Sequence, residues 1–213
     1  MDQKLYPCEH PIPIEQEPHH HLIIANDFVR AFAVELAPHD RTLCHHHAHE
    51  YLTYVAGDAQ IVSASPGEAP ATYTYRDGHC ELSPPGLVHV VEDLSGTNFT
   101  PLLVELLPGL AGVPCGLDPE AVSGEAKITR HFAEAPAAVF VLEMESGSAV
   151  EIHGPAVVAS PYEHEVEVAT PQAGAFTLEH YRDLFWLGPA ASATLRNPAD
   201  TTSRAVLIAV GKS

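Results

Sequence analysis

The stretch Cys44–Gly57, CHHHAHEYLTYVAG, constrains this chain more than any other. Five of its first six residues are cysteine or histidine, and an apolar, β-prone run follows. Read as a strand, it places His45, His47, His49, Tyr51 and Thr53 on one face. Cys44, His46, Ala48, Glu50 and Leu52 take the other. Two imidazoles two residues apart on an inward strand face lie within chelating distance of one metal ion. A third ligand must then come from elsewhere in the fold. On an outward face the same residues would make a surface histidine cluster or a metal-scavenging tract.

Composition narrows the classes. The chain has 213 residues, 46% hydrophobic and 18% charged, enough to bury a core in one large domain or two small ones. Nineteen prolines and fourteen glycines imply many turns between short segments, which suits an all-β architecture. Ten Lys+Arg against 28 Asp+Glu give a net charge of −18, which disfavours a phosphate-tracking surface, so no nucleic-acid partner is expected. The opening MDQKLYPCEHPIPIEQ lacks the basic and apolar regions of a signal peptide, and no apolar run is long enough to span a membrane. Cys8, Cys44, Cys80 and Cys115 have no CxxC spacing. The expectation is therefore a cytoplasmic protein with free thiols and no membrane partner.

Along the chain, residues 1–21 are polar and proline-rich and read as an arm lying along the domain, with His19, His20 and His21 a solvated tract in preference to a small metal-binding one. Strand patterns follow at Leu22–Ala25, Phe28–Leu36, Ala59–Ala64, Ala71–Tyr75 and Phe99–Leu107. Between them GHCELSPPGLVHVVED (78–93) reads as a short strand, a Pro84-Pro85-Gly86 corner and a returning strand that carries His89. Residues 108–124 turn to proline, glycine and small side chains, a plausible connector. Strand patterns resume at Ala138–Met144 and continue to Arg204–Val210. Short helices are expected only at Pro119–Ser123 and Thr129–Phe132. Two similar successions of short strands suggest a duplicated barrel.

The corner residues carry a family resemblance. Gly78, five residues, Pro84, Pro85, Gly86, two residues, His89, three residues and Asp93 match the second motif of the cupin superfamily, with Asp93 where asparagine is usual. His45 and His47 fit the paired histidines of the first cupin motif. Its glutamate would fall at Tyr51 or Leu52, and neither is acidic. Glu50 is nearest, on the opposite face by alternation. HHHAHEYLTYV is more similar to small cupins that lack this carboxylate. The resemblance spans residues 22–107, about half the chain.

The resemblance implies two cupin barrels: a metal-binding barrel over 22–107, a linker over 108–124 and a degenerate barrel over 125–213. His45, His47 and His89 would hold one divalent transition metal ion, iron(II) foremost, with zinc, nickel, manganese or copper as alternatives. Tyr51 would be an extra ligand, a hydrogen-bond donor to substrate or a packing residue, and His49 an outer or alternate ligand. Tyr51, His49 and Glu50 are the candidate catalytic residues. In the second half, His153 sits where the first motif begins, but no second histidine follows. YRDLFWLGPAASATLRN (181–197) resembles the second motif without its histidine. The implied protein is a homodimer and a metal-dependent, dioxygenase-type enzyme acting on a small oxygen-rich molecule. Lyase or isomerase chemistry and a non-catalytic small-molecule sensor remain the alternatives.

Overall fold

The computed structural model describes residues 6–115, 123–124, 126–162 and 164–212. Apart from the 3-10 turns Ile14–Gln16 and Pro108–Leu110, its regular elements among these residues are strands. No helix is long and apolar enough to cross a membrane among the described residues. The chain forms two compact units. The first takes the chain through Ala25 and again from Val29 to Leu107; the second takes Asn26–Phe28 and the chain from Pro108.

Among the described residues, ten strands build the first unit: β1 (Ile12–Pro13), β2 (His20–Ala25), β3 (Val29–Val34), β4 (His45–His46), β5 (Tyr51–Val55), β6 (Ala59–Ala64), β7 (Ala71–Tyr75), β8 (His79–Ser83), β9 (Val88–Asp93) and β10 (Pro101–Leu106). They form two five-stranded sheets, ordered β1-β4-β9-β6-β7 and β2-β3-β10-β5-β8. Period-two alternation sends Phe32 and Val34, Tyr51 and Val55, Ile61, Val91 and Leu103 into one shared apolar cluster. β1 runs parallel to β4 with Ile12 opposite His45, so the expected arm is clamped along the barrel, and within it His20 is buried rather than solvated.

That clamp corrects the free-thiol expectation. It brings Cys8 beside Cys44, with Cα atoms 5.1 Å apart, and the two are disulfide-bonded. Cys80 and Cys115 are free thiols.

The second unit repeats the plan with β11 (Ser123–Gly124), β12 (Ala126–Glu134), β13 (Ala137–Met144), β14 (Ala149–His153), β15 (Ala156–Ala159), β16 (Val166–Thr170), β17 (Gly174–Leu178), β18 (Leu184–Leu187), β19 (Ser192–Arg196) and β20 (Ser203–Val210). The sheet orders are β11-β14-β19-β16-β17 and β12-β13-β20-β15-β18, which is the first barrel with ten added to every strand number. The helix expected at Thr129–Phe132 is instead part of β12. There Thr129 pairs with Val141 and Phe132 with Val139, because β-branched and aromatic residues alongside a long apolar partner favour the ladder. The helix expected at Pro119–Ser123 falls outside the described residues except for Ser123, which is in β11.

Candidate metal centre

Sheet pairing across 44 residues of sequence creates the centre. β4 lies antiparallel to β9 with His45 directly opposite His89. His47 follows immediately after β4, and its backbone N–H bonds the Leu87 carbonyl at 2.9 Å. Its carbonyl accepts the Gly86 N–H at 2.7 Å, so the proline corner grips the histidine strand. Gly86 has φ 96°, a conformation glycine adopts without the strain a side chain would bring. The consecutive prolines before it restrict the backbone, and the corner aims β9 so that His89 points inward.

The three Nε2-bearing rings converge. His89 Nε2 lies 3.1 Å from His45 Nε2 and 3.1 Å from His47 Nε2. One ligating atom from each residue lies within 4.8 Å of those of the others. His45 Nδ1–H donates to the Leu43 carbonyl at 2.9 Å, and His89 Nδ1 bonds Ser63 Oγ at 3.1 Å. Burial first, and then the neighbouring His20, lowers His45 to about 4; burial, with the neighbouring histidines, also lowers His47 and His89. All three are therefore neutral imidazoles at neutral pH, the form that binds metal.

This donor set fits a metal ion. With His45 Nδ1–H committed to Leu43, His45 Nε2 presents a lone pair, and one proton on His89 would have to serve both 3.1 Å contacts. A central cation turns the same convergence into attraction. Two nitrogens each ~2.1 Å from an ion and at right angles to one another are ~3.0 Å apart, close to the spacing seen.

His47 and His89 of this cluster line a cavity of about 510 Å³. Tyr51 is 4% exposed, lines that cavity and stacks on His47 with ring centroids 4.1 Å apart. Burial pushes its phenol up to about 12; a hydrogen bond with Ser83 opposes this, and the charges of Glu81 and Glu105 add to it. In the structure as it stands, Tyr51 is a protonated phenol.

His49 and Glu50 are not brought to the cavity wall. Alternation would put His49 beside His47, but the strand breaks between β4 and β5, and the two flanking segments belong to different sheets. Crossing between sheets resets the face.

Two residues that sequence reading left outside the site belong beside it. His20 is 8% exposed, lines the cavity and lies 4.7 Å from the His45 ring, centroid to centroid. Glu17 is 1% exposed and accepts from His20 Nδ1 at 2.6 Å. It also accepts from His19 Nδ1 at 3.0 Å, from the His19 N–H at 2.9 Å and from the Leu43 N–H at 3.1 Å. Burial pushes this carboxyl up, but the hydrogen bonds from His20 and His19 and the His20 charge outweigh it and hold it at about 2. The available signal was a glutamate three residues before a histidine that opens the β-prone run HHLIIA.

The second barrel keeps the frame without the ligands. Ile152 pairs with Ala193 as His45 pairs with His89, and Gly154 N–H bonds Ala191 O as His47 N–H bonds Leu87 O. The ligand positions are thus held by Ile152, Gly154 and Ala193. His153, which seemed to open a first motif, corresponds to His46 and is exposed. Ile152 and Ala193 belong to a continuous apolar core with Phe140, Leu142, Met144 and Leu195.

Paired five-stranded sheets, repeated once and carrying a three-histidine cluster in the first copy, define the two-barrel cupin fold. Comparison with solved structures agrees. A cupin 2 conserved barrel domain protein from Leptotrichia buccalis is 10% identical with TM-score 0.51, covering 92% of this chain and 89% of that one. AerE from Microcystis aeruginosa is 11% identical with TM-score 0.64, covering 96% and 98%. A salicylate 1,2-dioxygenase from Pseudaminobacter salicylatoxidans is 11% identical with TM-score 0.56, covering 90% and 76%. No family model and no curated protein matches the sequence.

Proposed function

We propose that the first barrel is the catalytic half of a metal-dependent enzyme of dioxygenase type acting on a small oxygen-rich molecule. The observation that carries this reading is the convergence of His45, His47 and His89, two of which, His47 and His89, line a cavity of about 510 Å³. Iron(II) is the favoured ion, though three imidazoles also accept zinc, nickel, manganese or copper. Once bound there, it supplies a Lewis-acidic centre with open coordination positions and, as iron, one-electron chemistry toward dioxygen. The likeness in fold to a protein described as a salicylate 1,2-dioxygenase supports the choice of reaction class.

The chain's own residues then have distinct tasks. The Leu43 carbonyl and Ser63 Oγ fix the His45 and His89 rings through Nδ1. Tyr51 Oη, as a phenol, donates a hydrogen bond to a substrate oxygen near His47. Leu36, Leu87, Val91, Phe99 and Leu103 line the cavity with apolar surface and limit the water in it.

The Glu17–His20 pair favours a second reading, lyase or isomerase chemistry. His20 Nδ1 is hydrogen-bonded to Glu17 at 2.6 Å, so Nε2 is the ring nitrogen left to exchange a proton with substrate beside the centre. Metal content separates these from a metal-free binding protein. Near one first-row metal per untagged chain, lost in His89→Ala, is expected. No metal after reconstitution overturns both enzyme readings. Oxygen uptake with diketone, thiol and catechol substrates then supports the dioxygenase. Anaerobic turnover that is lost in His20→Gln supports proton transfer instead.

A further inference from the structure

The far side of the cavity has a charge character of its own. Its wall includes the carboxylates of Glu68 and Glu81 but no lysine or arginine among the described residues. Glu68 and Glu81 are exposed at the rim, and Glu81 stands opposite Thr53 on β8, in the inward-facing row that continues to Tyr51 and Ser83. The same wall carries aromatic rings. Tyr75 stacks against His79 at 4.5 Å, Phe99 at 6.2 Å and Tyr73 at 6.3 Å between centroids. β7 and β8, which carry Tyr73, Tyr75, His79 and Glu81, are the terminal strands of their sheets, so this wall stands at the edges of both.

Resting on the metal-centre reading, we propose that the substrate has an oxygen-donor head for the metal and a cationic ammonium-type tail held by this aromatic and acidic wall. A second anionic group on the substrate would find no lysine or arginine there, and the one histidine of this wall, His79, already lies 3.8 Å from the Glu81 carboxylate. A neutral tail would gain packing alone. An alkylammonium gains the faces of Tyr73 and Tyr75 as well as the attraction of Glu68 and Glu81. The chain's net charge of −18 draws cations toward it at long range.

The test uses three carboxylates of matched length titrated into the metal-loaded protein by calorimetry: 4-(trimethylammonio)butanoate, its isostere with an uncharged tail 5,5-dimethylhexanoate, and the dianion adipate. The expected order is cation first, at least tenfold tighter than the isostere, with adipate weakest. Tyr75→Leu and Glu81→Gln should each shrink the cation-to-isostere ratio several-fold while leaving metal content at one per chain. Equal or tighter binding of the isostere or of adipate overturns the proposal, as does failure of all three to bind a fully loaded protein. A parallel titration of choline against 3,3-dimethylbutan-1-ol needs no metal. If the protein takes up no metal but choline is still preferred, the metal reading fails and the cation wall stands. If the metal loads and choline shows no preference, the wall proposal fails alone.

Discussion

Glu17 accepts four hydrogen bonds, from His20 Nδ1, His19 Nδ1, the His19 N–H and the Leu43 N–H, while almost wholly buried. Charge-assisted bonds of this kind exceed neutral ones, and a carboxamide replaces at most part of the set. Glu17→Gln is therefore expected to lower the stability of the first unit by about 3 kcal/mol at neutral pH. The folded carboxyl, at about 2, lies below its ordinary 4.5, so the wild-type advantage is complete above 4.5. It drains away as pH falls from 4.5 through about 2. Urea melts across that range, with amide exchange in β2 and β3 reporting this unit, would show the gap closing in acid. A gap that widens in acid would contradict the assignment. At this scale the site was half legible. His45, His47 and His89 stand out by type and spacing. Nothing local shows that Glu17 faces inward, since its burial depends on strands more than twenty residues away.

Among the elements, equivalent corners of the two barrels have opposite fates. After β4 the position holds His47; after β14 it holds Gly154, with no room for a side chain. A Cβ there would lie 2.2 Å from the Gly188 carbonyl oxygen and 2.5 Å from that of Leu187. Gly154→Ala should cost about 1–3 kcal/mol through overpacking. Trp186, the only tryptophan, sits on β18 in the same unit and reports its unfolding by fluorescence. An unchanged melt would mean that the β18–β19 corner moves aside freely. By the same reasoning, grafting three histidines onto Ile152, Gly154 and Ala193 would not restore a centre. Alternation made most strands readable in the sequence. It failed at residues 47–50, where the chain leaves one sheet for the other, and at Thr129–Phe132, where pairing with β13 overrode a weak helical pattern.

For the whole chain, the disulfide matters more than its cysteine spacing implies. Cys8 and Cys44 are 36 residues apart, and closing a loop of that length removes enough unfolded-state freedom to contribute about 3–4 kcal/mol. Cys8→Ser, or reduction of the wild type, should lower the first unit's stability by that order and weaken metal retention, because the clamped segment carries Glu17 and leads into His20. A melt indifferent to reductant would show that strand pairing alone holds the segment. The sequence by itself carried the all-β class, the suggestion of a duplication and the corner before His89, and its resemblance to the cupin motifs singled out His45, His47 and His89. The first of these rests on period-two alternation and the last on motif spacings known from the family, and both signals are local. The tertiary structure decided that Cys8 meets Cys44, that Glu17 and His20 join the site and that His49 and Glu50 stay off the cavity wall. It also decided that the second barrel's ligand positions are closed by core packing. Each of these depends on which strands pair across long separations, and that is a property of the folded sheets that no short window of residues contains.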